Sequence, residues 1–214
     1  MLARIRTALA AGPAPAPPTP DWAAPVHPPL PAGQSLAEAF GQNFQRIGGE
    51  FFYCDTLGEL GTSLRGWLAE RLPVGGRFYV WEPAIQALLA AAEVPFEATE
   101  EEFIDQAAAG LTSCEALVAR TGSVLLGAAS ASGRRLSIYP EQHVVLARPS
   151  QAVAEIADAL RAVEARTGGQ LPSMLSLTTG PSRTADIEKT LVLGAHGPRR
   201  LTLFLLSDAA ENLA

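Results

Sequence analysis

Cysteine is nearly absent from this sequence, with Cys54 and Cys114 the only two in 214 residues. There is no CxxC pair and no Cys/His group at zinc-ligand spacing, so the sequence offers no metal site. An iron-sulfur cluster normally requires four thiolates, so this chain alone holds none. Each cysteine sits in an apolar run and reads as a small buried hydrophobe, with a redox role as the alternative. Basic runs are missing too. With 16 basic against 22 acidic residues and a formal charge of -6, the chain lacks the positive stripe that tracks phosphates along nucleic acid. Long hydrophobic runs are also lacking: residues 84–92 and 201–206 fall well short of the roughly 20 apolar residues of a membrane helix, and the opening has no signal-like apolar stretch. These absences predict a soluble, cytoplasmic protein that binds neither nucleic acid nor membrane. Walker and GxGxxG loops, a nucleophile elbow and solenoid-length repeats are likewise missing, which leaves the cofactor, if any, unspecified.

What remains is an apolar chain, 48% hydrophobic, long enough for one sizeable core. Residues 1–34 read as an appendage to it. Leu2, Ile5 and Leu9 fall at helical spacing, and residues 11–33 carry nine prolines among alanines, a composition that favours extension. Residues 35–214 read as a single α/β domain. Ser35 and Glu38 form a capping pattern ahead of Leu36, Phe40, Phe44 and Ile47; Gly48-Gly49 ends that helix and residues 50–54 follow as a strand. Thr56 and Glu59 repeat the pattern before a helix that stops at Pro73. Residues 77–81 then form a strand, Pro83 opens a helix, and residues 94–98 form a further strand. Thr112-Ser113-Cys114-Glu115 is predicted to open a helix that Thr121-Gly122-Ser123 closes, and Ser150 to cap one carrying Val153, Ile156, Leu160 and Val163. Residues 143–148, 174–178 and 201–206 read as strands, the last two flanking a final helix. Such alternation predicts a largely parallel sheet with helices on both faces and ligands beyond the carboxyl ends of its strands.

The richest polar loop follows the strand at residues 174–178. Thr178-Thr179-Gly180-Pro181-Ser182-Arg183-Thr184-Ala185-Asp186 reads as a strand passing through a Gly-Pro turn into a helix. Gly180 frees the backbone, Ser182 and Thr184 donate hydroxyls, Arg183 offers a fork for a carboxylate or phosphate, and the helix start adds partial positive charge. The structural alternative is an ordinary helix cap. Asp186 suits a first helical turn, and is also able to take a proton. His196, in the turn Gly194-Ala195-His196-Gly197-Pro198, is the best acid-base candidate; His27 and His143 have no partner motif. A second cluster, Arg120-Thr121-Gly122-Ser123 with Arg134 and Arg135 downstream, would make the same mouth cationic and select a small anionic metabolite; its plain reading is a solvated hairpin tip.

Together, Glu115-Ala116-Leu117-Val118-Ala119-Arg120-Thr121-Gly122-Ser123, Arg134-Arg135-Leu136-Ser137, Pro140 with His143-Val144-Val145, and Gly180 to Glu188 with Gly194 to Pro198 resemble the LUD-domain family of lactate-utilisation proteins, and within it the small C-type subunit. The likeness runs over residues 35–206. It implies the α/β fold shared by ribose-phosphate isomerase, glucosamine-phosphate deaminase and CoA transferases, and a place beside iron-sulfur subunits in a bacterial system that oxidises L-lactate to pyruvate. It supplies no accepted catalytic residue. Open on this reading are a subunit that binds a small acid or organises the complex, an independent enzyme acting on a phosphorylated or nucleotide substrate, and a pure scaffold. A homo-oligomer is compatible with each.

Overall fold

The computed structural model describes residues 1–10, 18–21, 24, 27–30, 32–187 and 190–210, without the side chains of 185–187 and 190–191. Most of the Pro-rich stretch lies outside the described residues. In chain order the elements are α1 (Leu2–Ala10), α2 (Leu36–Arg46), β1 (Glu50–Cys54), α3 (Leu57–Arg71), β2 (Arg77–Val80), α4 (Pro83–Ala91), α5 (Phe103–Gln106), β3 (Ala107–Thr112), β4 (Ala116–Val118) and β5 (Ser123–Gly127). They continue with β6 (Gln142–Ala147), β7 (Ala152–Val153), α6 (Ile156–Arg166), β8 (Leu175–Thr178), β9 (Arg183–Ile187), β10 (Thr190–Leu193) and β11 (Arg200–Leu206).

A five-stranded, wholly parallel sheet in the order β1-β11-β6-β3-β2 forms the centre. Parallel neighbours need crossovers, and α3 and α4 supply covering helices between β1, β2 and β3. Because successive strand residues face opposite sides, Val144 and Leu146 of β6 join Phe204 and Leu206 of β11 against Leu60, Leu64 and Trp67 of α3 and Leu89 of α4. Val145, Ala147, Leu201, Leu203 and Leu205 point the other way, onto Phe40 and Phe44 of α2 and Leu117, Val124 and Leu126 of a second sheet. That sheet, β7-β4-β5-β8, is mostly antiparallel. Ala159 and Val163 of α6 cover its outer face. The parallel sheet is therefore as the alternation predicts, while its second face is covered by a sheet as well as a helix.

Ser35 accepts from the Glu38 N–H and Thr56 from the Glu59 N–H, both at 3.2 Å, which fixes the starts of α2 and α3 as their sequences imply. Four local predictions fail. Residues 112–123 form no helix: the Ser113 amide and hydroxyl donate to the Glu82 carboxylate at 2.9 and 2.5 Å, and the Glu115 N–H joins the ladder to Leu125 O at 2.7 Å. With Ser113 committed elsewhere, nothing caps a helix there. Ser150 likewise binds Asp208 at 2.7 Å, and α6 starts at Ile156, where the carboxylate of Asp158 accepts from the Glu155 N–H at 3.2 Å. Residues 94–98 make a single bridge, Glu97 to Tyr79. Finally, the segment after Gly180-Pro181 is the antiparallel hairpin β9-β10; the β-branched Thr184, Ile187, Thr190 and Val192 favour extended backbone over a helix. No helix among the described residues is long and apolar enough to cross a membrane, and no group of three or more His, Cys, Asp or Glu there could hold a metal ion.

Candidate functional site

Where β8 ends, Gly180 turns the chain with φ +79°, and a Cβ there would stand 2.7 Å from the Ile47 carbonyl oxygen, so the position takes glycine for both conformation and space. The next residues are stitched to a distant turn. Ser182 donates its N–H to Pro198 O at 2.9 Å, and Gly194 donates to Ser182 O at 3.0 Å. This places the His196-Gly197-Pro198 turn directly against Ser182: a Cβ on Gly197 would lie 3.6 Å from Ser182 Oγ. Between them opens a cavity of about 320 Å³, lined by Gly180, Ser182 and His196 and closed by Ser176 and Thr178 of β8 and by His143. Leu201 also contributes, so the floor is formed by the second residues of β6 and β11. The cavity lies beside the carboxyl end of β8, but that strand belongs to the second, mostly antiparallel sheet; the parallel strands, to which the strand-loop rule applies, offer it their amino ends instead.

Gly180, Ser182 and His196 are thus brought together, and the other residues singled out from sequence are not. Arg183 is exposed and donates from Nη2 to Ile47 O at 2.5 Å. Thr184 pairs with Val192 in the hairpin, and the Asp186 side chain lies outside the described residues. With β9 in place of a helix, the helix start predicted after Pro181 is not formed. Arg120 is held by Glu155, Nε at 2.6 Å and Nη2 at 2.5 Å. Gly122 has φ +65° and lies against α2, where a Cβ would meet Phe44 N at 2.4 Å. Ser123 Oγ lies 2.7 Å from Thr121 Oγ1 and 2.8 Å from Thr179 Oγ1. Arg134 donates to Ser173 Oγ at 3.1 Å. Arg135 pairs with Glu100 and rests over the Trp81 ring at 5.4 Å. The Arg120–Ser123 turn is therefore a clamp between α2 and the second sheet, and both downstream arginines fasten the loop after β5.

The cavity wall is half polar and half apolar, and carries no guanidinium, ammonium or carboxylate among its lining residues. Its hydrogen-bonding groups are the hydroxyls of Ser137, Ser176, Thr178 and Ser182 and the two imidazoles. His196 is exposed, whereas His143 is 1% exposed and burial lowers its pKa to about 4. The neutral ring meets Thr112 Oγ1 at 2.9 Å through Nε2. Behind Ser137 lies a chamber of about 20 Å³ that also touches Thr112, Ser113 and Ser132; this is room for one water. Ser113 and Ser132 hydroxyls both donate to Glu82, at 2.5 and 2.6 Å. Sequence reasoning passed over His143, Thr112 and Glu82. The available signal for His143 was an imidazole at the head of a Val-Val-Leu strand, a setting in which a polar ring needs a partner.

The LUD domain family pattern matches residues 37–206, most of the chain. This chain belongs to the LUD domain family. The LUD domain here is 35% identical over 100 residues to lactate utilization protein C of Shouchella clausii (strain KSM-K16), covering 46% of this chain and 44% of that protein. It is 33% identical over 144 residues to the uncharacterized protein YkgG of Escherichia coli (strain K12), covering 66% and 57%. The matched segments thus span about half the length of these relatives. A DUF162 family protein from Deinococcus radiodurans shares the fold, with a TM-score of 0.57 and 23% identity over 80% of this chain and 96% of that one.

Proposed function

We propose that this LUD protein is the non-iron-sulfur subunit of a bacterial, cytoplasmic system that oxidises L-lactate to pyruvate. It binds a small anionic metabolite in the cavity beside Ser182 and His196, alongside partner proteins that carry the iron-sulfur clusters. The name of the Shouchella clausii relative, lactate utilization protein C, supports the pathway. Two cysteines fall short of a cluster's ligand set, which supports the division of labour.

The observation that carries the ligand reading is the convergence of Gly180, Ser182 and His196 on one cavity of about 320 Å³. That volume is at the lower end of the roughly 300–1,000 Å³ usual for small-molecule sites. With the arginines engaged elsewhere, a carboxylate is held by hydroxyls and imidazole. A hydrogen bond to a charged group contributes about 1.5–3 kcal/mol, so two or three supply the roughly 4 kcal/mol of a millimolar complex.

Calorimetric titration of the full chain with L-lactate, pyruvate, a sugar phosphate and ATP-magnesium tests this. The expected outcome is millimolar or tighter binding of one of the two acids, weakened at least about tenfold by Ser182→Ala, which is the loss of one such hydrogen bond. Tight binding of the nucleotide or sugar phosphate with turnover would make the chain an independent enzyme instead. Co-purification with a cysteine-cluster protein tests the partnership.

A further inference from the structure

Among the described residues lining the cavity, His143 is the one fully buried polar side chain, 1% exposed beside Leu201, itself 1% exposed. Burial keeps the ring uncharged, so it carries one N–H and one bare nitrogen. Thr112 decides which is which. Its hydroxyl, on a residue 4% exposed, has no partner among the described residues other than His143 Nε2 at 2.9 Å. If Nε2 donated, the Thr112 O–H would be left in the interior without a protein acceptor, which is unfavourable. If Thr112 donates, both groups are satisfied and the ring proton sits on Nδ1. Nδ1 has no partner among the described residues, so its N–H is left for a group entering the cavity.

Taking the cavity as the ligand site, we infer that His143 is a ligand-binding residue, fixed by Thr112 as an Nδ1–H donor that reads a second oxygen next to the ligand's carboxylate. Charge is costly against a buried, uncharged floor, so the carboxylate takes the mouth, at Ser182 and the exposed His196. The neutral oxygen takes the floor. The ligand class is a small 2-oxo or 2-hydroxy acid, since a carbonyl or hydroxyl oxygen at the second carbon accepts from Nδ1–H. Thr112 acts through His143 and is a positioning residue.

Titration of the full chain with pyruvate, L-lactate and propanoate, which lacks the second oxygen, tests the assignment. Pyruvate or lactate should bind about tenfold more tightly than propanoate, the worth of one hydrogen bond. His143→Phe should erase that preference. Thr112→Val should reduce the preference without abolishing binding. Independently of any variant's folding, ¹⁵N spectra of the unliganded wild-type imidazoles should show the Nδ1–H tautomer for His143. Equal affinity for all three acids, or an Nε2–H tautomer, would overturn the inference and leave the cavity as a general acid site. Binding of none of the acids at about 10 mM, weaker than any working affinity, would overturn the cavity reading and the inference together.

Discussion

The guanidinium of Arg183 donates to the main-chain oxygen of Ile47 at 2.5 Å, joining the first residue of β9 to the residue that closes α2. Gly48, with φ +92°, lies beneath it, and a Cβ there would stand 2.9 Å from Arg183 Nη2. Arg183 is therefore a brace between two elements. Arg183→Ala should lower stability by about 1 kcal/mol, a charged hydrogen bond weakened by solvent screening at an exposed site, and change acid affinity less than Ser182→Ala does. Urea denaturation and the same calorimetric titration check both halves; a larger affinity loss for Arg183→Ala than for Ser182→Ala would place the arginine in the site.

Gly122 fills a similar position under the Arg120 clamp. Its left-handed backbone, and the 2.4 Å that would separate a Cβ at this position from Phe44 N, leave no room for a side chain. Gly122→Ala should cost about 2–4 kcal/mol, combining strain with displacement of α2. Thermal melts measure it, and a melting temperature unchanged from wild type would mean that the turn repacks freely.

These two turns show how much the sequence could convey. Caps and period are local, so α2, α3 and the strand between them were legible from Ser35, Thr56 and their apolar stripes. β3 was not, because Ala107-Ala108-Ala109-Gly110-Leu111-Thr112 has neither aromatics nor alternation. In β4, Ala116, Leu117 and Val118 are all buried, between the central sheet and α6, and a run apolar on every side reads as helix or strand alike. Ser182 and His196 could be named because their loops are polar and rich in glycine and proline. His143 could not, since its partner Thr112 is 31 residues away on the neighbouring strand. The partners of the arginines were not legible either, because a guanidinium binds main-chain oxygens and carboxylates of its own chain as readily as a ligand.

Burial of His143 also sets a pH dependence. Unfolded, the ring takes up its proton near pH 6.5; folded, it does so only at about 4. Between those values the unfolded chain binds more protons, so the stability present above pH 6.5 is lost as the pH falls towards 4. The loss is on the order of 3 kcal/mol at most. Urea midpoints at pH 7, 6 and 5 should fall accordingly, and His143→Phe should flatten this part of the decline. A wild-type midpoint independent of pH over that range would contradict the buried neutral ring.

Desolvation pushes the thiols of both Cys54 and Cys114 up from the usual cysteine value, and both are free and buried. A high thiol pKa and lack of access suppress thiolate chemistry. A thiol-labelling reagent at pH 8 should leave the folded protein unmodified and label both cysteines in urea. Fast labelling of either one in the native state would support the redox role instead.

The most direct measurement of the cavity's role is a map of backbone amide chemical shifts during titration with L-lactate and with pyruvate. Saturable shifts should gather at Ser176 to Ser182, at His196 and Gly197 and at His143, with the Arg120 and Arg135 regions unmoved. Shifts confined to another surface, or none at all at millimolar acid, would contradict the assignment of this cavity as the ligand site.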